Sequence, residues 1–322
     1  MLARSSQYRE CGTRSCAELE DMALIEELRT LLERCARPDG TTPVDGVLAT
    51  RIDRQDPPGP SMSGTVLAVV AQGTKRLALG DRVYEYGPGQ YLVASVDLPV
   101  TGHWLDIGPG RPALGFGLVL DPSAVAELLL SAGPGNLPRT GGTPSALAVS
   151  DAPEPLLDAV VRLLRLLDQP RDREVLAPMA EREILWRLMA GEQGAAVRQL
   201  GLADSGLSHV SRAVRWIREN YAESFRVEDV ARMSGMSVSA FYRNFQAVTA
   251  MSPIQFQKQI RLQEARLLLA TRPGDVTAVG RRVGYDNPSQ FSREYRRLFG
   301  APPSRDAARL RESGQAPAAL AP

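Results

Sequence analysis

Two sets of hydrogen-bonding side chains recur at helical spacing in the last third of the chain. In VEDVARMSGMSVSAFYRNFQ (residues 227–246), Ser239, Tyr242, Arg243 and Gln246 fall on one face of a helix whose other face carries Phe241 and Phe245. In VTAVGRRVGYDNPSQFSREYRRLFG (276–300), Ser289, Gln290, Ser292, Arg293 and Arg296 stand opposite Phe291 and Tyr295. Hydroxyl, carboxamide and guanidinium groups on an outward helix face are the groups that hydrogen-bond to base edges in a DNA groove. A third set lies far upstream. Arg82, Tyr84 and Tyr86 alternate along one strand pattern, and His103 follows within the same section. Two phenols, a guanidinium and an imidazole suit the polar lining of a pocket for a small organic molecule.

The residues around the first two sets say how they are held. Ala231 has almost no side chain and lets another helix pass close by. Gly235 stands where the chain must turn sharply, and glycine takes positive φ without steric cost. Ser237 is placed to cap the helix that follows. The pattern returns 49 residues later, with Gly280 for Ala231 and Gly284 for Gly235. Asn287 or Asp286 can cap the second reading helix, and Pro288 suits its first turn. This is the spacing of two helix-turn-helix units. Between them, SPIQFQKQIRLQEARLLLATRPG begins with Ser252 as a cap and Pro253 at the first helical position. About 18 helical residues span roughly 27 Å. Successive major-groove faces on one side of DNA are about 34 Å apart, so one rigid helix can hold two reading helices about a turn apart.

Upstream, the chain changes character. A helix is expected over 20–36. Within 44–120, TVLAVVAQG, KRLAL, DRVYEY and QYLVASVDL are short, rich in Val, Leu and Tyr, and punctuated by Gly80-Asp81 and Gly87-Pro88-Gly89. Such runs predict consecutive strands of a sandwich or small barrel. A helix capped at Asp121 runs to about 132, a Gly/Pro/Thr-rich loop follows to 145, and two helices occupy 154–170 and about 172–191. The first of these is apolar on more than one face and must be buried, either on the barrel or against a second subunit.

Charge separates the two halves. Residues 211–310 carry 17 Lys and Arg against 9 Asp and Glu, while the remainder carries 21 against 28. A basic section on an otherwise acidic chain suits a polyanion partner. Cys11, Cys16 and Cys35 are an odd number and form no disulfide or zinc framework. The N-terminus shows no secretory pattern and no run is long enough to span a membrane, which predicts a cytoplasmic protein without a membrane partner. With two histidines in the chain, His103 and His209, the barrel section cannot assemble a multi-histidine metal set. Neither a glycine-rich phosphate loop nor a nucleophile–base arrangement stands out, so no enzyme activity and no cofactor are expected.

The C-terminal section, roughly 210–308, resembles the AraC/XylS family of bacterial transcription regulators. The resemblance rests on A-x3-G-M-S from Ala231, on S-P-x2-F-x4-R-L-x2-A-x2-L-L from Ser252 to Leu268, and on V-G-Y-x5-F-S-R-x-Y-R-R-x-F-G-x-x-P from Val283 to Pro302. It implies seven helices with two helix-turn-helix units, and base contacts chiefly from Arg243 and Arg293. Residues 72–102 are similar to the arabinose-type regulatory domain, which implies a cupin-like barrel, a small-molecule effector, and dimerisation through adjacent helices. The expected architecture is therefore α+β in two domains. Residues 1–18 form a disordered leader, 19–195 a cupin-like effector-binding and dimerisation domain, 206–310 the DNA-binding domain, and 311–322 a disordered tail. The expected function is sequence-specific regulation of transcription by a homodimer that binds double-stranded DNA, answers to an effector and engages RNA polymerase. The alternatives are a DNA-binding regulator whose barrel only dimerises and, more remotely, a cupin-type enzyme.

Overall fold

A computed structural model describes residues 16–54, 58–132, 137–138, 144–203, 205–271 and 275–312. The expected leader is outside the described residues up to position 15, and the expected tail from position 313. Residues 16–18 already belong to helix α1 (Cys16–Cys35), and 311–312 to the last helix.

Nine strands follow α1 among the described residues: β1 (Val47–Ile52), β2 (Gly59–Met62), β3 (Val66–Gln72), β4 (Thr74–Leu79), β5 (Arg82–Tyr86), β6 (Gln90–Ala94), β7 (Pro99–Leu105), β8 (Ala113–Val119) and β9 (Leu147–Asp151). They form a five-stranded antiparallel sheet in the order β1-β8-β3-β6-β9 and a four-stranded one in the order β2-β7-β4-β5. The chain crosses between the sheets at Gly73, whose φ of +83° needs glycine. The β4–β5 hairpin turns on Gly80-Asp81, with Gly80 at φ +58°.

Strand parity divides the five-stranded sheet. Val47, Ala49, Leu67, Val69, Tyr91, Val93, Phe116 and Leu118 face the helices, and their core takes in α1, α2 (Pro122–Ala132), α3 (Glu154–Leu166) and α4 (Pro170–Ala190). Helix α3 is the one expected to be apolar nearly all round. It lies within this core, with Leu156, Leu157, Val160, Leu163 and Leu164 no more than 1% exposed. Asp121 caps α2 by accepting from the Ser123 and Ala124 amides. Elements the sequence pattern does not signal include β2, which pairs with β7, β9, which adds to β6 beyond the Gly/Pro-rich stretch, and α5 (Gly194–Leu200), which runs past the expected domain end at 195.

The C-terminal section is α6 (Gly206–Glu219), α7 (Val227–Met233), α8 (Val238–Thr249), α9 (Pro253–Thr271), α10 (Val276–Arg282), α11 (Pro288–Phe299) and α12 (Pro303–Glu312). Its two halves are cored differently. The α6–α8 half shares one continuous apolar cluster with the barrel interior, from Leu77, Leu79, Tyr86 and Val100 through Met251 to Phe241, Phe245 and Phe256. The second half has its own small core of Leu262, Ala265, Leu269, Val283, Tyr285, Phe291 and Tyr295.

Candidate nucleic-acid interface

The two helix-turn-helix units are built by the same local chemistry. After α7, Gly235 takes φ +76°, and after α10, Gly284 takes +88°. The next amide in each case reaches back one turn: Met236 N donates to the Ala231 carbonyl and Tyr285 N to the Gly280 carbonyl, both at 2.9 Å. Ser237 then caps α8 by accepting from Ala240 N at 3.3 Å, and Asn287 caps α11 by accepting from Ser289 N and Gln290 N. Small residues set the helix crossing. A Cβ at Gly280 would lie 3.0 Å from the Phe291 ring. Phe241 packs on Phe245 at 5.3 Å and Phe245 on Phe256 at 5.5 Å, while Phe291 packs on Tyr295 at 5.6 Å.

Each turn is also clamped from outside its unit. The Ser234 carbonyl accepts from Arg212 at 3.1 Å and lies 2.6 Å from His209 Nδ1, both on α6. The Gly284 carbonyl accepts from Arg261 on α9 at 2.7 Å, and the same guanidinium reaches the Tyr221 carbonyl at 2.6 Å. Arg261 was missed in the sequence because its role depends on carbonyls distant in the chain. A buried carboxylate holds α12 in place: Asp306 accepts from Arg266 at 2.8 Å and from the Tyr295 hydroxyl at 3.0 Å. Burial works to raise the Asp306 pKa, but Arg266, Tyr295 and Arg309 together hold it below the ordinary carboxylate value.

Helix α9, 19 residues long, ties the two units together. Ser252 and Gln255 cap it reciprocally, and Lys258 pairs with Glu294 of α11 at 2.8 Å. On α8, Ser239, Tyr242, Arg243 and Gln246 are exposed. On α11, Ser289, Arg293 and Arg296 are exposed, while Ser292 and Gln290 are half-buried. The Gln290 amide donates to Glu294, which turns it toward α9 rather than outward. Arg243, Arg293 and Arg296 enter no ion pair among the described residues.

The upstream candidates are divided. Cross-strand register places Tyr86 opposite Lys75 and Tyr84 opposite Leu77, with Trp104 also opposite Lys75. These side chains share the inner face of the four-stranded sheet. Arg82 shares that parity but is exposed at the strand's start. His103 is paired with Arg76 and so lies on the opposite face, away from the barrel interior. The expected grouping of His103 with Arg82, Tyr84 and Tyr86 is corrected on that ground: adjacent residues of a strand point to opposite faces. Burial, together with the neighbouring cations Arg76 and Lys75, lowers the His103 pKa.

A cavity of about 790 Å³ lies where one end of the barrel meets α6 and α9. Val66 and Val96 line it from the barrel, and Val214, Arg215, Ile260 and Glu264 from the helices. Beside it Arg218 of α6 is paired with Asp97, which also accepts from Gly64 N. Gln259 of α9 donates to the Pro99 carbonyl at 3.0 Å.

A nine-stranded barrel joined to twin helix-turn-helix units defines a two-part regulator architecture. Comparison with known proteins agrees along most of the length. Residues 43–196 match the family described as AraC-type transcriptional regulator N-terminus, and residues 230–309 match a helix-turn-helix domain family. The chain belongs to the AraC family of transcriptional regulators. The virulence regulon transcriptional activator VirF of Yersinia enterocolitica is 27% identical over 170 residues, covering 52% of this chain and 61% of that protein. The match thus spans about three fifths of that relative's length. Apo ToxT from Vibrio cholerae shares the fold at a TM-score of 0.52 and 10% identity, over 84% of this chain and all of the other. Wild-type ToxT bound to an unsaturated fatty acid gives 0.50 and 9% identity, over 81% of this chain and 94% of that one.

Proposed function

We propose that this chain is a sequence-specific transcription regulator that reads double-stranded DNA with α8 and α11. The observation that carries this reading is the pair of like-built helices on one linker, each presenting unpaired guanidinium groups outward. Arg243 and Arg293 would make the principal base contacts. Ser239, Tyr242 and Gln246 accompany the first, and Ser289, Ser292 and Arg296 the second. Gln290 enters only if it leaves Glu294. The amides at the starts of the helices and the remaining arginines would bind phosphate and set register. Residues 206–310 form the DNA-binding part and 19–195 the regulatory part, with α5 closing the latter.

The barrel part binds a small organic effector, with Tyr84 and Tyr86 on its inner face. The fatty-acid-bound ToxT structure supports this only through a shared fold. The interdomain contacts of Arg218 with Asp97 and of Gln259 with Pro99 give the effector something to act on: a ligand favouring one arrangement shifts the other by its difference in affinity. A homodimer in the cytoplasm that engages RNA polymerase completes the reading. Since α3 is used inside the protomer, the dimer contact falls to α4, where Val175 and Met179 are 61% and 63% exposed. Among the described residues no helix is long and apolar enough to cross a membrane.

The test is the salt dependence of affinity for duplex DNA. Twin reading helices with their flanking arginines should neutralise several phosphates, so affinity should fall steeply and log-linearly with salt. Affinity independent of salt would refute the reading.

A further inference from the structure

Only two of the 38 basic side chains in this chain are lysines, Lys75 and Lys258. Lys258 is engaged with Glu294. Lys75 is different. It lies on β4 with its side chain on the inner face of the barrel, opposite Tyr86 on one side and Trp104 on the other. Its Nζ stands 4.8 Å above the Trp104 ring. Gly102, opposite Leu77, makes room for the Leu77 side chain, whose Cδ2 a Cβ there would meet at 2.5 Å, and Lys75 Cε passes 3.4 Å from the same point. Trp104 in turn reaches across to the other sheet, where its Cη2 would lie 3.5 Å from a Cβ at Gly115. The amine therefore stands between the two sheets.

No carboxylate among the described residues pairs with Lys75. The titratable side chains on its own face are the phenols of Tyr84 and Tyr86, with the Arg82 guanidinium toward the far end of β5; Arg76, Glu85 and His103 are on the outer face. Burial alone pushes the Lys75 amine down to about 8. A buried amine without a counter-charge is costly unless something supplies one. The interior beside it is not closed. Leu92, Ala94, Val70 and Leu77 are buried, as a packed core requires, but Thr50, Ala68, Tyr84 and Trp104 remain part-exposed on inward-facing positions. Gly115 and Gly117 on β8 carry no side chain of their own into the interior; the Trp104 ring lies over the first and Leu48 over the second.

We infer that Lys75 and Trp104 form the anchoring floor of a site inside the barrel for a small organic carboxylate with an apolar or aromatic body. The ammonium takes the carboxylate in a charge-assisted hydrogen bond, and Trp104 with Tyr84 packs on the body. The site lies at the barrel end away from the cavity against α6 and α9. It rests on the reading of the barrel as the effector-binding part and gives that effector a charge.

The rarity of lysine makes the test direct. The full chain is reductively methylated with ¹³C-formaldehyde, so that two lysine signals report, and Lys75 is assigned from their comparison with Lys75→Met. Benzoate, indole-3-acetate and octanoate are titrated in, each against its neutral amide. The expected result is a saturable shift of the Lys75 signal with at least one carboxylate and an upward move of its titration midpoint from near 8. The amides should have no such effect. Trp104 fluorescence of the unmodified protein should report the same binding, on the order of tenfold weaker in Lys75→Met. Lys75→Arg, which keeps the charge, should recover part of it. A Lys75 signal indifferent to all three carboxylates, or equal binding of acid and amide, or full binding by Lys75→Met would overturn the inference. Affinity of the unmodified protein for duplex DNA, measured in parallel, keeps failure of the regulator reading separate.

Discussion

Arg261 donates to the carbonyl of Gly284 at 2.7 Å and so fixes the second turn from the linker helix, as Arg212 fixes the first by donating to the carbonyl of Ser234 at 3.1 Å. The second turn is held at its positive-φ glycine and the first at the residue just before Gly235, and the reading helices inherit their direction from these turns. The two glycines should nevertheless respond differently to substitution. A Cβ at Gly284 would lie 2.1 Å from the Ala222 carbonyl oxygen, while one at Gly235 would meet side chains, the His209 ring at 3.2 Å and the Arg212 guanidinium at 3.6 Å. Gly235→Ala should cost about 1–2 kcal/mol, from the positive φ alone. Gly284→Ala should cost more, about 3 kcal/mol or above, because backbone must move. Chemical denaturation of the two variants checks the order.

The base-reading assignment predicts that Arg243→Ala and Arg293→Ala each weaken a specific site by about 1–3 kcal/mol while changing non-specific affinity far less. Arg282→Ala, outside the reading faces, should instead weaken all sequences about equally and reduce the salt slope by about one. Fluorescence anisotropy on specific and random duplexes distinguishes the two behaviours.

The buried ion pair under α12 predicts a local weakness. Asp306→Ala leaves Arg266, 6% exposed, without its partner. Loss of one member of a buried pair costs about 3–5 kcal/mol. Because the Asp306 pKa is depressed in the folded state, the stabilisation it gives is present above its ordinary value and lost as the pH falls through the folded one. Amides of α11 and α12 should therefore exchange faster in Asp306→Ala, and in the parent protein as acid is added, with those of α3 unaffected by the mutation.

Lys75 has the opposite sign. Its folded pKa, about 8, lies below the ordinary lysine value of 10.5, so the unfolded chain binds the proton more tightly. The charged amine destabilises the empty barrel below pH 8, and the penalty fades as the pH rises from 8 toward 10.5. Lys75→Met should melt higher than the parent at pH 7, with the advantage shrinking above pH 8. Thermal melts in the absence of added carboxylates, compared at pH 7 and 9.5, check this.

The twin units were legible because their constraints are local and repeated. Gly235 and Gly284 need positive φ, Phe241 with Phe245 and Phe291 with Tyr295 need helical spacing, and each signal sits within a dozen residues of the next. The strands from 66 to 98 were legible for a similar reason, in their alternation and their Gly turns. What escaped depends on pairing at a distance. Gly59–Met62 has no apolar alternation and becomes a strand by lying on β7. Leu147–Asp151 does so by lying on β6. The pocket candidates went astray at His103 because face depends on register: Lys75, directly opposite Tyr86 on the neighbouring strand, has the inward position that His103 lacks. The shared core of the barrel and the first unit, through Met251 and Val100, was likewise invisible in a sequence whose two sections differ so clearly in charge.

The central claim is that one protomer reads DNA twice, with α8 and α11 held about a turn apart by α9. Selection of binding sites from random duplexes by the purified full chain, read by sequencing and repeated with Arg243→Ala and with Arg293→Ala, tests it most directly. Two short motifs about ten base pairs apart are predicted, with each variant losing preference in a different one of them. A single motif altered alike by both substitutions, or no enrichment by the parent with or without benzoate, indole-3-acetate and octanoate, would contradict the account.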